Sequence, residues 1–258
     1  LHVLGLDANG VLQLAPTKAT YSVSGGGSGT ALDPTGWWWN PAEGGNGFSL
    51  ERQGDNIFFC WYAYDETTGN PVWYYSLMNK QADDSFSGLL QTSSKGWSLG
   101  SEPFPVNDFD DVGTVSMSFA SETSATLVWK DNGQTVTKSL VPFMSGAKDS
   151  RGITGWYVDR TKPNIGFFLD SRDGQFFAGF FHYGQDQKTQ WWATSGTFSE
   201  GATSYSGTSM EARDGQSLSG IWKNPSISLV PAVILNYADG QFIVNWKGYT
   251  FTLTRFTF

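Results

Sequence analysis

The sequence predicts an all-β protein of two tandem antiparallel up-and-down barrels, or small sandwiches, of about eight strands each. An N-terminal arm precedes them. Three observations carry this expectation: an internal duplication, short runs of aromatic and β-branched residues broken by Gly, Asn and Asp, and no helical periodicity in either copy. The duplication is the strongest. Gly36-Trp37-Trp38 returns as Gly155-Trp156-Tyr157 and Gly47-Phe48 as Gly166-Phe167, each 119 residues on. Phe58, Trp61, Tyr62 and Tyr64 meet Phe177, Phe180, Phe181 and Tyr183 at the same spacing. Val72-Trp73-Tyr74 meets Gln190-Trp191-Trp192, Phe86-Ser87-Gly88 meets Tyr205-Ser206-Gly207, and Leu127-Val128-Trp129-Lys130 meets Val244-Asn245-Trp246-Lys247.

Within the first copy the strands fall in order near 36–40, 47–53, 56–64, 71–78, 85–91, 112–120, 124–130 and 134–141. Thr68-Gly69-Asn70-Pro71 and Asp131-Asn132-Gly133 are turn signals that separate the third strand from the fourth and the seventh from the eighth. Both copies close on an alternating tail, 137–143 and 252–258. This gives barrel units at 36–145 and 155–258, joined by a short connection. Residues 1–35 form the arm: 1–14 can make a strand, and the Gly/Ser-rich 22–30 reads as a flexible linker.

The third strand has no polar face. Ile57, Phe59, Trp61 and Ala63 alternate with Phe58, Cys60, Tyr62 and Tyr64, and the second copy places Phe176, Ala178, Phe180 and His182 against Phe177, Gly179, Phe181 and Tyr183. A strand apolar on both sides is covered on both sides. Either the two barrels pack together there or the outer face is an aromatic binding surface.

The opening Gly36-Trp37-Trp38-Trp39-Asn40-Pro41-Ala42-Glu43-Gly44-Gly45-Asn46-Gly47-Phe48 is followed by the aromatic strand to Asp65, by Gly69-Asn70-Pro71-Val72-Trp73 and by a closing strand. It resembles the uncharacterised Trp-rich duplicated repeat domain of secreted bacterial proteins, with its W-W-x-P-x-E-x-G-x-G type of opening. The resemblance covers 36–143 closely and 155–258 at the scaffold positions alone, because 158–165 replaces the Asn-Pro-Ala-Glu segment. It implies secretion and a β architecture, and it brings no biochemical role.

Composition narrows the function. Of 258 residues 12 are Trp, 16% are charged and the net charge is −8. The acidic balance argues against a nucleic-acid partner. No apolar run reaches the length of a membrane helix. One Cys excludes a disulfide framework, and scarce Lys with abundant Gly, Ser, Thr and Trp fits a secreted, periplasmic or cell-surface protein. No enzyme signature stands out: the histidines are His2 and His182, Cys60 sits in an apolar strand, and neither a nucleophile elbow nor a dinucleotide loop is present. No cofactor is expected.

Subtracting what both copies share isolates Trp38, Trp39, Asn40, Glu43 and Asn46. With Trp61, Tyr64 and Trp73 they compose a candidate ligand site, in which rings stack on apolar faces while Glu and Asn bind hydroxyls. The whole acidic surplus lies here too: residues 36–143 hold 13 Asp and Glu against 5 Lys and Arg. Asp108, Asp110 and Asp111, after Asn107, offer oxygens of the kind calcium takes, without EF-hand spacing. The expected function is a non-enzymatic binding module for a glycan or a small hydrophobic ligand. The alternative is a structural or interaction subunit of a surface assembly, its aromatic faces binding protein partners.

Overall fold

The computed structural model describes residues 5–6, 12–13, 32–100, 108–162 and 165–258. The linker expectation at 22–30, His2 and Asn107 lie outside the described residues. Apart from a two-residue pair, β1 (Gly5–Leu6) with β2 (Leu12–Gln13), every described strand belongs to one of two closed antiparallel barrels of eight strands each. The first comprises β3 (Gly36–Trp39), β4 (Gly47–Gln53), β5 (Asn56–Tyr64), β6 (Pro71–Lys80), β7 (Phe86–Ser94), β8 (Asp108–Ser121), β9 (Ser124–Asp131) and β10 (Gln134–Pro142). It closes where Val141 and Pro142 pair with Trp39 and Trp38. The second comprises β11 (Gly155–Asp159), β12 (Gly166–Arg172), β13 (Gln175–Tyr183), β14 (Thr189–Thr197), β15 (Ser204–Arg213), β16 (Ser226–Ala238), β17 (Gln241–Trp246) and β18 (Tyr249–Arg255). Tyr157 pairing with Arg255 closes it.

The strands lie close to their expected positions. β8 starts earlier than expected because Asp108–Asp111 stay paired with β7 beyond a register shift at Leu89/Gln91. Asn132 and Gly133 both take positive φ, 42° and 83°, which is what a two-residue hairpin between twisted strands demands.

Alternation fills the barrels. Ile57, Phe59, Trp61 and Ala63 point inward with Trp38, Phe48, Leu50 and Leu127. Phe176, Ala178 and Phe180 do so in the second barrel with Phe167, Trp192 and Val244. Phe180 lies flat on Trp192 at 4.4 Å, and Trp192 on Trp246 at 4.6 Å. An eight-stranded barrel is narrow enough for side chains to fill it.

The opposite faces of β5 and β13 meet each other. Cys60, Tyr62 and Tyr64 are buried with Trp73, Tyr75, Phe168, Phe181, Tyr183 and Trp191 in a third cluster between the barrels. The contacts are reciprocal, as in an isologous dimer. Trp73 Nε1 donates to the His182 carbonyl at 3.2 Å, and its counterpart Trp191 Nε1 to the Ala63 carbonyl at 3.0 Å. Asp170 of β12 accepts the Trp37 backbone N–H at 3.2 Å, while Glu51 of β4 accepts that of Trp156 at 2.7 Å. Burial pushes both carboxyls above their ordinary range, opposed by the Arg172 and Arg255 guanidiniums.

Each barrel also plugs the other. Trp97, following β7, packs in the core of the second barrel against Phe251, and Leu218, following β15, packs in the core of the first. The glycine ahead of each plug lies on a tyrosine ring of the opposite barrel: Gly96 on Tyr183, Gly215 on Tyr64. A Cβ at either position would overlap the ring. Gly96→Ala and Gly215→Ala are each expected to lower stability in urea unfolding by about 1–3 kcal/mol. Gly44→Ala, with no atom near the added Cβ, is expected to stay within about 0.5 kcal/mol.

Candidate functional site

The expected platform of exposed rings is corrected by strand parity. Trp38 is 2% exposed and Trp61 1%, both facing the interior of the first barrel, and Trp38 Nε1 donates to the Pro34 carbonyl at 2.8 Å. Tyr64 and Trp73 are buried between the barrels. Asn40 is a turn residue, its Oδ1 accepting the Ala42 N–H at 3.0 Å and its carbonyl the Glu43 N–H at 2.9 Å. Trp39 alone among these tryptophans is partly exposed, because it alternates with Trp38.

Glu43 has a different partner from the one expected. It is ion-paired with Lys138, whose side chain is 2% exposed. The ammonium lies 5.8 Å from the centre of the Trp61 ring. Val136 and Leu140, at the same parity on β10, pack on the first core, so Lys138 belongs to an inward row. That parity was the signal in the sequence. Removing one member of a buried pair strands the other charge. Glu43→Leu is therefore expected to cost about 3–5 kcal/mol, with Glu43→Leu/Lys138→Met recovering most of it in the same unfolding assay.

A cleft of about 250 Å³ opens between the barrels at the β3 end. Trp39 and Phe143 form its first-barrel wall, edge to face at 5.5 Å, and Phe143 meets Phe177 across it at 5.0 Å. Met210, Ala212, Pro225 and Ile227 form the other wall, with Trp37, Trp38, Tyr62, Tyr64 and Trp191 also in the lining. Of the eight expected site residues, Trp38, Trp39, Asn46 and Tyr64 reach this cleft, while Asn40, Glu43, Trp61 and Trp73 do not. Small residues leave the room: Gly179 and Ala193 stand where the first copy has Cys60 and Tyr75. The cross-strand row Ala193–Met210–Leu229 answers to Tyr75–Gln91–Asp111 in the first barrel. Sequence reasoning missed Phe143, Met210, Ala212 and Ile227, which declare themselves only through the placement of one barrel on the other.

Asn46 is the one side-chain amide among the described residues that line the cleft, and Gln216 behind it holds it in place. Gln216 Nε2 donates to the Gly220 carbonyl at 2.9 Å, which leaves its Oε1 to accept from Asn46 Nδ2 at 2.8 Å. Asn46 is 8% exposed and its Oδ1 has no partner. Three of the donors around it are engaged: Trp37 Nε1 by the Phe177 carbonyl, Trp191 Nε1 by that of Ala63, and the Tyr64 hydroxyl by that of Gly45.

The other candidates carry no comparable geometry. Burial pushes the Cys60 thiol far up, leaving it a poor nucleophile. Asp108 is paired with Lys95, and Asp111 accepts from Gln91 Nε2 at 2.8 Å. Among the described residues no three His, Cys, Asp or Glu are grouped to hold a metal ion.

His182 is enclosed in the second barrel, its Nδ1 3.0 Å from the Tyr183 carbonyl and its ring 5.2 Å from Trp246. Burial lowers its pKa to about 4. The folded state thus resists protonation that the unfolded chain accepts near pH 6.5, so this contribution is complete above 6.5 and lost as pH falls to 4. Glu51 and Asp170, shifted upward, act in the opposite sense. The difference in unfolding free energy between wild type and His182→Gln is therefore expected to shift by about 3 kcal/mol between pH 6.5 and 4.

Comparison of the chain with protein-family models, curated proteins and solved structures gives no match.

Proposed function

We propose that the chain is a non-enzymatic, secreted or surface-exposed binding protein that takes a small hydrophobic ligand in the inter-barrel cleft. The observation that carries this reading is the cleft's composition. It is walled by Trp39, Phe143, Phe177, Met210 and Ile227, and Asn46 is the one side-chain amide among its described lining residues. Ligand pockets are concave, mainly apolar, and orient their ligands with a few polar groups. A glycan fits less well, since a sugar ring brings several hydroxyls and the described lining is apolar and aromatic apart from Asn46 and the tyrosine hydroxyls.

One observation favours the second reading, an interaction subunit. Ile227 and Leu229 are 59% and 67% exposed, and Ile221 and Trp222 in the preceding segment are exposed as well. The apolar lining thus continues past the cleft mouth onto an open rim. Contiguous apolar surface of this kind marks contact sites.

The test is an NMR titration of the full chain with toluene, 4-methylphenol and indole beside a panel of oligosaccharides. Saturable shifts with the ring compounds are expected, weakened at least tenfold by Phe143→Ala and by Ile227→Asp. Oligosaccharide binding unaffected by these substitutions would contradict the reading.

A further inference from the structure

We infer that the chain pairs with a second molecule of itself along the free edge of β16, antiparallel and about a two-fold axis at Ser228. The inference names one partner for the exposed rim and does not depend on the cleft taking a ligand.

The free edge comes from the stagger of strands that barrel closure imposes. β16 pairs with β15 from Ser226 to Asn236, but with β17 from Val233 to Ala238 alone. Among the described residues nothing pairs with Ser226–Val230 on the β17 side. Ser226, Ile227, Ser228 and Leu229 are all exposed, so this stretch is bare at both parities. Such an edge presents backbone N–H and C=O groups to any strand that can lie beside it. It is also bounded, since Pro231 has no N–H and Ala232 stands at a bulge with φ 65°.

Two features select a second molecule of this chain as the occupant. The first is self-complementarity. Antiparallel pairing centred on Ser228 sets Ile227 opposite Leu229 of the second molecule, Leu229 opposite its Ile227, and Ser228 opposite Ser228. All four apolar side chains then lie on one face, where cross-strand neighbours interact. They prolong the row Ala193–Met210–Leu229, which runs outward from the cleft. A two-fold contact of this kind closes on itself.

The second feature is charge. The first barrel has a matching edge at Asp108–Asp111, beyond the β9 pairing that begins at Thr114. There Asp108, Asp110 and Asp111 stand where the second barrel has Ser226, Ser228 and Leu229, so the same pairing would oppose Asp110 to Asp110. Like charges directly opposite are destabilising, and charged side chains guard that edge. From Asn224 to Ala238 the second barrel carries no charged residue, so its edge has lost the guard.

The test is sedimentation velocity of the full chain, without added ligand, from micromolar to millimolar concentration. A monomer–dimer equilibrium is expected, weak because one short strand pair buries little area. Ser228→Asp, which copies the exposed Asp110 of the first barrel, is expected to weaken dimerisation about tenfold or more. Ser228→Lys is expected to do the same, and an equimolar mixture of the two variants to recover the dimer, because opposite charges then meet at the axis. A chain that stays monomeric throughout would overturn the inference, as when the edge serves a strand of a different protein. A dimer that persists in both single variants would overturn it in favour of another surface. Failure to recover on mixing would overturn the pairing about Ser228. Ser228 is not among the described lining residues of the cleft, so each of these results leaves the ligand reading to its own titration.

Discussion

Each barrel carries a row of aromatic side chains on its outside, and the architecture depends on covering them. Neither β5 nor β13 has a face that water can take, because both parities of each strand are apolar. The barrels satisfy this by covering one another, and burying a large apolar side chain contributes about 1.5–3 kcal/mol. The polar groups caught in this contact are met across it: indole N–H groups by carbonyls at Ala63, Phe177 and His182, and the Trp37 and Trp156 backbone N–H groups by Asp170 and Glu51. The plugs at Trp97 and Leu218 then put part of each barrel's core in the keeping of the other.

Duplication makes this contact self-complementary, and divergence opens one end of it. What both copies keep, such as Trp73 with Trp191 and Tyr64 with Tyr183, builds the contact. What the second copy reduces, Cys60 to Gly179 and Tyr75 to Ala193, makes the cleft. What the first copy alone has, Trp39 and Asn46, gives that cleft part of its aromatic wall and a side-chain amide in its lining. The exchanged segment of the second barrel supplies Gln216, so the device that locks the barrels together also holds the Asn46 amide.

Much of this was legible in the sequence. The repeat spacing and the turn residues located the strands of the first copy to within a few residues over most of its length, and the two apolar faces of β5 announced a covered outer surface. The inward turn of Trp38 and Lys138 was present as parity, yet parity yields a direction only after the inside of the barrel is known. Gly96 and Gly215 occupy equivalent places in the two copies, but their purpose needs the tyrosine of the opposite barrel. The cleft was least legible, because it is defined by absent side chains at Gly179 and Ala193 and by residues of both copies brought together.

Scanning calorimetry of the full chain tests most directly whether the two barrels are one cooperative unit. The shared aromatic contact and the exchanged plugs predict a single transition whose van't Hoff and calorimetric enthalpies agree. Two resolved transitions, each with about half the total enthalpy, would contradict it: the barrels would then be independent domains, and the cleft an incidental gap between them.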